Sequence, residues 1–468
     1  MNKIVLVFTV LAVIIALVDY WKFFKEVEPE VMPEDVWWGL ESDRVNFDRN
    51  TFHTQILPFQ INISDRIIGD LKDRLSKTRS LAKPLENVNF EYGFNSDRLS
   101  EILDHWANRY DWTARQAYLN GLPQFKTRIY GLDVHFVHAK PASVVPGGNV
   151  QTVIPLLLLH GWPGSVVEFY EMIPLLTAGD ARGIAFEVIA PSLPGYGFSE
   201  PAVRPGMGPA QIGQMFVELM RRLGHGRFYV QGGDWGSIIA ETISTIYPDR
   251  VRGMHSNFCS VTSFLTLGDY TRLILGAYWP SLAVSSEIEK SRTYPLSELL
   301  MSFLEETGYM HLQMTKPDTV GVGLTDSPAG LAAYILEKFS SWTNLKNKHL
   351  LDGGFSKYNI NALLDNVMIY WVTGSITTSM RLYSEYASKH YQTLPHKKAK
   401  VKVPAACALF PEEMAMALNL KKFLKIKYIN LVSATEMKEG GHFAAFEQPK
   451  LLAEDIRSSI IAMEAIQK

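Results

Sequence analysis

The chain has 468 residues, 47% of them hydrophobic and 20% charged, and a formal net charge of −2. Such a chain can bury a large core, as two or three domains or as one domain with insertions, and a disordered chain is excluded. The small net charge and the lack of a long Lys/Arg run argue against nucleic acid as a partner. The only cysteines, Cys259 and Cys407, are too few for a disulfide framework, and no cysteine or histidine spacing indicates a metal site. The main body is therefore expected to suit a reducing compartment.

Residues 1–25 are predicted to be an uncleaved membrane anchor. The run from Ile4 to Val18 is almost wholly apolar, Lys3 precedes it, and the aromatic pair Tyr20 and Trp21 follows it. Its 15 residues are fewer than the roughly 20 that span a bilayer, but aromatic residues at the interface can extend the span. A cleaved signal peptide is the alternative, although no small-x-small cleavage site follows the run. The basic residues on the two sides balance, so charge leaves the orientation open.

Residues 26–124 are predicted to form a linker and a helical extension. The linker, up to about Asn46, is acidic, aromatic and Pro-containing, which suggests that it folds back over the body. Apolar residues then recur at helical spacing between residues 64 and 120, for example Ile67, Leu71 and Leu75. We expect the catalytic core to begin after this extension.

From residue 125 onward, strands alternate with helices. Residues 125–129 and 132–137 alternate apolar and polar side chains around Tyr130-Gly131, which predicts two strands and a tight turn. The run Val153 to Leu159 lacks polar alternation, which is typical of a central strand covered on both faces. This order predicts an α/β fold with a mostly parallel, doubly wound sheet that binds ligands at the carboxyl ends of its strands. Further strands are predicted at 186–190, 227–230 and 251–256.

Between residues 258 and 398 the strand pattern gives way to a helical interval rich in Tyr and Trp, which is too long for a loop. We interpret this interval as a helical cap inserted into the core. The α/β pattern returns at 401–409 and 428–432, before a closing helix at 451–463. The core is therefore predicted in two parts, residues 125–257 and 399–468.

One predicted strand leads into Gly232-Gly233-Asp234-Trp235-Gly236, a Gly-x-Asp-x-Gly frame ahead of a helix. This is the spacing of a nucleophile elbow, in which the glycines allow a strained turn and close helix packing. Asp234 stands where hydrolases usually carry Ser. Its carboxylate needs no base before it attacks the electrophilic carbon of an epoxide or an alkyl halide. Capping of the helix is the alternative role for Asp234.

An ester formed on Asp234 must be hydrolysed by water, and His is the base best suited to activate water near neutral pH. Among twelve histidines, His442 stands on a Gly-rich loop after the last predicted strand, in the chain order nucleophile, acid, His. An acid that orients this His is expected directly after the strand ending near Leu409. Glu412 and Glu413 both follow that strand, and the sequence does not separate them.

Hydrolysis of such an ester develops negative charge on the carboxyl group of Asp234, which needs preorganised donors. The backbone N–H of Trp235, next to Asp234, is one expected donor. That of Trp162, in the turn after the predicted central strand, is the other. Pro163 is a candidate for a cis peptide bond.

Several motifs together resemble the epoxide hydrolases of the α/β-hydrolase fold. They are His160-Gly161-Trp162-Pro163, Gly195-Tyr196-Gly197-Phe198-Ser199, Gly233-Asp234-Trp235-Gly236 and Gly441-His442-Phe443. The wider sequence resembles the microsomal branch more closely, in segments that begin at Gly308, Thr315 and Asp326. Within that branch, the segment Ser375 to Arg381 is most similar to the insect juvenile hormone epoxide hydrolases.

The resemblance implies an α/β-hydrolase core with a helical cap, an N-terminal helical extension and a membrane anchor. It implies Asp234 as nucleophile, His442 as base and, because the family pattern is Phe-Pro-x-Glu, Glu413 as the orienting acid. It also implies that Tyr309 and Tyr383, in the cap, bind the epoxide oxygen and supply its proton. Ring opening generates an alkoxide, which two phenols can stabilise. No cofactor or metal is expected.

The predicted function is hydrolysis of a lipophilic epoxide to the vicinal diol through a covalent Asp ester, with juvenile hormone or a related terpenoid epoxide as the leading substrate. The alternatives are a broad-range xenobiotic or lipid epoxide hydrolase, a haloalkane dehalogenase and a non-catalytic hormone-binding protein. The predicted location is the endoplasmic reticulum membrane, with a single N-terminal anchor and a cytosolic body. The sequence leaves the oligomeric state open.

Overall fold

The computed structural model of the protein describes residues 27–30, 32–33, 36–45, 55–142, 144–145, 148–414 and 419–467. The predicted anchor at residues 1–25 lies outside these ranges. Within them, no helix combines the length and the apolar character that crossing a membrane requires.

The fold is built on a central β-sheet. The described strands are β1 (Leu57–Phe59), β2 (Gln124–Ile129), β3 (Leu132–Ala139), β4 (Val144–Val145), β5 (Gly148–Asn149), β6 (Thr152–Leu159), β7 (Ile184–Pro191), β8 (Phe228–Gly232), β9 (Val251–Ser256), β10 (Ala405–Leu409) and β11 (Leu431–Glu436). Within the described residues, nine of them form one sheet in the order β1-β2-β3-β7-β6-β8-β9-β10-β11, and β4 pairs with β5. From β1 to the β3–β7 pair the strands run antiparallel, and from β7 to β11 they run parallel. The mostly parallel sheet predicted from the sequence is confirmed.

Strand β6 is the central strand of this sheet, as its unbroken apolar run predicts. Its last four residues, Leu156 to Leu159, are fully buried. Strand β8 lies beside it in parallel, and Leu159 is in register with Gly232. Because both strands end at the same edge of the sheet, the segments that follow them meet there. These are the segments that carry Trp162 and Asp234.

Helices cover the sheet and fill the interval between β9 and β10. Outside that interval the described α-helices are Glu41–Val45, Asp65–Ser76, Ser96–Asn108, Trp112–Leu119, Ile173–Thr177, Pro209–Arg222, Asp234–Ile246, Lys421–Leu424, Ala444–Glu447 and Pro449–Gln467. Within it they are Leu267–Leu275, Glu287–Thr293, Leu296–Glu306, Gly308–Thr315, Pro317–Asp326, Pro328–Ser341, Ile360–Thr373, Ile376–Ala387 and Lys389–Thr393. Short 3-10 helices are Val166–Phe169, Thr262–Phe264, Pro280–Leu282, Leu345–His349, Phe355–Lys357 and Pro395–Lys398. The division into domains at residues 26–124, 125–257, 258–398 and 399–468 stays a prediction.

The sheet differs from the predicted one at its edges. Strand β1, inside the predicted helical extension, pairs antiparallel with β2, so the sheet begins before residue 125. Three residues with Pro58 in the middle carry no strand pattern, although a Pro within a short run is compatible with an edge strand. The predicted strand at 401–409 is regular only from Ala405, because Pro404 has no N–H to donate to a ladder. The predicted strand at 428–432 is regular only from Leu431.

The linker packs on the body, as its composition suggests. The Trp38 N–H donates to the Tyr130 carbonyl at 2.8 Å, and the Trp38 carbonyl accepts from the Val203 N–H at 3.0 Å. A Cβ on Gly39 would lie 2.3 Å from the Gly131 carbonyl oxygen, so glycine is required for this close approach. The linker therefore closes over the tight turn between β2 and β3.

Cys259 and Cys407 form a disulfide, which is not among the features predicted from the sequence. They are 148 residues apart in the chain. They become neighbours because Cys407 lies on β10 in register with Ser256, at the end of β9. Disulfides are more common in oxidising compartments, so the structure gives no support to the expectation of a reducing one.

Candidate active site

Asp234 occupies the tight turn that the Gly-x-Asp-x-Gly spacing predicts. It follows β8, begins the helix Asp234–Ile246 and has a φ of +50°, a strained value for a residue with a side chain. A Cβ on Gly232 would lie 2.2 Å from the Gly236 carbonyl, and one on Gly236 would lie 2.0 Å from the Leu159 carbonyl oxygen. The two glycines therefore allow the helix to pack directly on the strand ends, with Asp234 held at the turn.

The carboxylate of Asp234 faces the turn that follows β6. The backbone N–H of Trp162 donates to Asp234 Oδ1 at 2.8 Å. A Cβ on Gly161 would lie 2.1 Å from the same oxygen, so only glycine leaves room for this contact. The Trp162–Pro163 peptide bond is cis, as the sequence suggests. Trp235 N–H lies in the first turn of its helix, where amides lack an intrahelical acceptor, and it makes no hydrogen bond to Asp234 in the described structure.

His442 lies between two carboxylates. Its Nδ1 is 2.7 Å from Glu413 Oε1, and its Nε2 is 3.3 Å from Asp234 Oδ2, a contact that does not meet the geometry of a hydrogen bond. The His442 and Glu413 side chains are almost fully buried, whereas that of Asp234 is 18% exposed. The structure thus brings together the three residues that the sequence places in three distant segments.

The charges of this group are coupled. Burial disfavours a charged imidazole, but the carboxylates of Glu413 and Asp234 outweigh burial and raise the pKa of His442 well above its ordinary value of 6.5. His442 is therefore an imidazolium while Asp234 is ionised. It can become a base only after one of the two negative charges is lost.

The loop after β10 separates Glu413 from Glu412. Glu413 Oε1 accepts from the Met414 N–H at 2.8 Å and faces His442, whereas Glu412 lines a separate cavity. Arg292, from the helix Glu287–Thr293, donates to the carbonyl oxygens of Phe410 and Glu413 at 3.2 and 2.8 Å. This distant guanidinium fixes the loop, which explains why neighbouring residues alone leave the pair unresolved.

Tyr309 and Tyr383 share a cavity wall with Asp234 and lie against the two tryptophans. The Tyr309 ring stacks on Trp162 at a centroid distance of 5.4 Å, and the Tyr383 ring meets Trp235 edge-on at 4.6 Å. The two phenol rings are 5.9 Å apart. Tyr383 Oη is buried without a hydrogen-bond partner in the described structure. Burial, with the Asp234 charge nearby, raises the pKa of both phenols well above 10, so both keep their protons.

A cavity of about 270 Å³ is lined by Asp234 and by the two tyrosines, Tyr309 and Tyr383. Its wall combines Asp234 with aromatic and Met side chains, most of them from the helical interval, and its further charged side chains include Glu241, Lys397 and Lys427. Cavities in which apolar side chains surround a few charged groups are typical of sites for small organic ligands. Further lining residues are Met310, Met314 and Tyr386.

Comparisons with known proteins match the chain to known families. Residues 56–169 match the family model described as epoxide hydrolase N terminus, and residues 154–413 match that of the alpha/beta hydrolase fold. Juvenile hormone epoxide hydrolase 1 of Ctenocephalides felis is 48% identical over 458 residues, which cover 97% of this chain and 94% of that protein. The chain belongs to the epoxide hydrolases of the α/β-hydrolase fold.

This epoxide hydrolase is also similar to two further members of the family. Epoxide hydrolase 1 of Oryctolagus cuniculus is 44% identical, over 95% of this chain and 96% of that protein. The crystal structure of juvenile hormone epoxide hydrolase from the silkworm Bombyx mori superposes on this chain with a TM-score of 0.87 at 45% sequence identity. The match covers 93% of this chain and 100% of the silkworm chain. The resemblance drawn from the sequence motifs is confirmed. These relatives favour an epoxide hydrolase over the haloalkane dehalogenase and the hormone-binding protein.

Two residues that hold the His442 loop of this epoxide hydrolase, Trp342 and Glu447, are not among those predicted from the sequence. The His442 N–H donates to the Trp342 carbonyl at 3.0 Å, and the Trp342 ring lies 4.9 Å from the imidazole. Glu447 Oε1 accepts from the N–H groups of Gly441 and Phe443 at 3.2 and 3.1 Å. Glu447 stands five residues after His442, a spacing that could have been noticed. Nothing in the local pattern around Trp342 indicates its role.

Proposed function

We propose that this epoxide hydrolase converts a lipophilic epoxide to the vicinal diol through a covalent ester on Asp234. One observation carries the proposal. His442 bridges Asp234, at 3.3 Å from Nε2, and Glu413, at 2.7 Å from Nδ1, so nucleophile, base and orienting acid form one chain of contacts. A helix-capping role for Asp234 would need neither partner.

In the first step, the Asp234 carboxylate attacks one epoxide carbon, and the C–O bond of the ring breaks at that carbon. The epoxide oxygen takes a proton from Tyr309 or Tyr383. Because the pKa of each phenol lies well above 10 in the free enzyme, the proton is present when the epoxide binds. The products are an ester, a hydroxyl group and one tyrosinate.

In the second step, His442 acts as the base. Ester formation removes the charge of Asp234, which is one cause of the raised pKa of His442. The imidazolium proton then restores the tyrosine, and neutral Nε2 takes a proton from water while the water oxygen bonds to the ester carbonyl carbon. The N–H groups of Trp162 and Trp235 are the proposed donors to the tetrahedral oxyanion. Its collapse releases the diol and restores the carboxylate and the imidazolium.

The mechanism predicts that water oxygen enters Asp234 before it enters the diol. In a single turnover in H₂¹⁸O with enzyme in excess over an epoxide, mass analysis is expected to find one ¹⁸O in the peptide that carries Asp234, and an unlabelled first diol. Direct attack of water on the epoxide would instead label the diol at once. An unlabelled Asp234 peptide alongside labelled diol would therefore overturn the ester mechanism.

The preferred substrate is proposed to be juvenile hormone or a related terpenoid epoxide. The relatives from Ctenocephalides felis and Bombyx mori carry that hormone in their names, and the aromatic, Met-containing cavity suits a lipophilic chain. The alternative is a broad range of xenobiotic or lipid epoxides, which the likeness to epoxide hydrolase 1 of Oryctolagus cuniculus favours. Competition between juvenile hormone and styrene oxide in one mixture gives the ratio of their kcat/KM values. A ratio strongly in favour of juvenile hormone is expected, and a ratio near one would support the broad range.

We further propose that residues 1–25 anchor the enzyme in the endoplasmic reticulum membrane. Exposed apolar side chains that are concentrated in one stretch of the described chain support membrane association. Twelve of its 26 exposed large apolar side chains lie between residues 267 and 304, and the helix Leu296–Glu306 buries none of its residues. Phe303, 40% exposed in this stretch, also lines the cavity of about 270 Å³ beside Asp234, which we propose as the substrate cavity. Exposed apolar side chains that lie together mark interaction surfaces.

The body is proposed to lie in the cytosol because of the family resemblance. The disulfide between Cys259 and Cys407 argues for the lumen instead, because disulfides are rare in the cytosol. Protease added to intact microsomes is expected to digest the body without detergent. Protection until detergent is added would place the body in the lumen, and release of the whole chain by alkaline carbonate would contradict the anchor.

A further inference from the structure

A small second cavity lies beside the catalytic group, apart from the substrate cavity. It measures about 20 Å³, and Trp162, Asp234 and His442 are part of its wall. Among lining residues, Asp234 alone is shared with the substrate cavity. Because a cavity of at least about 10–15 Å³ with polar partners can hold one water molecule, this one fits a single water. Asp234 therefore faces a lipophilic chamber on one side and a water-sized polar chamber on the other.

Glu168 is the acidic residue in the wall of this small cavity that the proposed chemistry does not use. It also lines a third cavity of about 720 Å³, whose wall includes Arg115, Glu171 and Lys357. Glu168 alone is common to the two walls. It therefore stands between a large hydrophilic chamber and the position beside Asp234 and His442.

The local structure fixes the Glu168 carboxyl group in this place. Glu168 lies on the 3-10 helix Val166–Phe169, whose first turn is capped by Ser165, and its N–H donates to the Ser165 carbonyl at 3.1 Å. Ser165 Oγ in turn donates to Asn366 Oδ1 at 2.8 Å. A Cβ on Gly164 would overlap Glu168 Oε1, at 1.4 Å. The carboxyl group thus lies directly on the turn that presents Trp162 N–H to Asp234.

The charge of Glu168 suits hydrogen bonding rather than proton removal. Burial raises the pKa of Glu168 to about 8. The charge of Asp234 also raises this pKa, whereas the imidazolium of His442 lowers it. Near neutral pH the group is mostly a carboxylic acid. Its carbonyl oxygen can accept a hydrogen bond from water, and the group does not compete with His442 for the proton of that water.

We propose that Glu168 is a positioning residue that holds the hydrolytic water in the small cavity, against His442, and admits it from the larger cavity. This inference rests on the proposed ester mechanism. One O–H of the water points to His442 Nε2, which takes the proton. The other O–H donates a hydrogen bond to Glu168, which neither gains nor loses a proton. The water oxygen bonds to the Asp234 carbonyl carbon, the bond to the diol oxygen breaks, and that oxygen takes the proton from His442. The new carboxylic acid of Asp234 then returns a proton to His442.

The inference predicts different effects on the two steps. Glu168→Leu fills the same space without an oxygen, and is expected to slow ester hydrolysis about 10- to 100-fold while ester formation changes less than about twofold. Hydrolysis then limits turnover, so kcat and KM fall together, kcat/KM is retained and the Asp234 ester accumulates. Glu168→Gln keeps a carbonyl acceptor and is expected to restore most of the hydrolysis rate. Rapid-quench mass measurement of the intact protein with juvenile hormone as the probe gives both rates.

Glu171→Ala is the matched control. Glu171 lies on the same segment and in the larger cavity, but outside the small one, and accepts from Tyr118 Oη at 2.8 Å. Its variant is expected to keep both rates, and an equal loss would overturn the inference because it would point to a general disturbance of the segment. Unchanged ester hydrolysis in Glu168→Leu, or a loss confined to ester formation, would also overturn it. A similar Tm in all variants excludes unfolding. If the wild-type enzyme itself forms diol without any ester, the proposed function fails, and that result is separate from the behaviour of Glu168.

Discussion

Replacement of His442 by Gln is expected to leave an enzyme that forms the Asp234 ester and then stalls. The Gln side chain fills similar space and can donate to Asp234, but it cannot take a proton from water. Ester formation is expected to stay within about tenfold of wild type, while steady-state turnover falls about 10³- to 10⁴-fold, the size of a lost general base. Intact-protein mass spectrometry should find the enzyme heavier by one substrate molecule after a burst of one equivalent.

The matched control for this experiment is His349→Gln. His349 is 61% exposed, is not part of the cavity wall, and pairs with Glu91 at 2.9 Å, so its variant should turn over normally without a burst. Two results would count against His442 as the base. One is wild-type turnover in His442→Gln, and the other is loss of diol without any ester, which would assign His442 to the first step.

The double variant Tyr309→Phe, Tyr383→Phe is expected to fail at the first step. Each phenol keeps its proton because its pKa is raised well above 10, and Tyr383 Oη has no partner inside the described protein. Without both hydroxyl groups, the alkoxide of the opened epoxide has no donor in the cap. We expect ester formation to fall about 10³-fold or more, and each single variant to lose about 10- to 100-fold because the other phenol remains.

The signature of this loss is opposite to that of His442→Gln, because kcat/KM falls and no ester accumulates. The Phe rings keep the stacked contact with Trp162 and the edge-on contact with Trp235, so the cavity shape is retained. Tyr334→Phe is the control, since its ring also contacts Trp162, at 5.6 Å, but lies outside the cavity wall. An undiminished rate of ester formation in the double variant would remove the tyrosines from the reaction.

The parts of the fold that the sequence predicted are those set by local pattern. Strand β6 is a run without polar alternation, and a strand of that kind is stable only between covered faces. The turn at Asp234 needs glycine at 232 and 236 because neighbouring backbone fills the space of any Cβ, so the requirement is visible as a spacing. The edge strand β1, of three residues with a central Pro, has no such pattern.

The residues of the candidate site were predictable only where chain order or a sequence motif indicates them. His442 follows from its place after the last strand, whereas the choice between Glu412 and Glu413 depends on Arg292, which binds their loop from another element. Glu168 shows the same limit, because its position beside Asp234 arises from the 3-10 turn after Gly164 and not from any sequence spacing. Pairing of Cys259 with Cys407 likewise follows from the β9–β10 register.

The two carboxylates around His442 also bear on the survival of an enzyme that handles alkylating compounds. A neutral imidazole nitrogen is a nucleophile, and an epoxide that reacted with it would leave a C–N adduct that ester hydrolysis cannot cleave. Glu413 and Asp234 keep the pKa of His442 well above 6.5, so Nε2 has no free lone pair while an intact epoxide is in the cavity. In the proposed mechanism the lone pair becomes available only after Asp234 has consumed the epoxide. The ion pair at 3.3 Å is therefore expected to protect His442 from alkylation by the substrate of the enzyme.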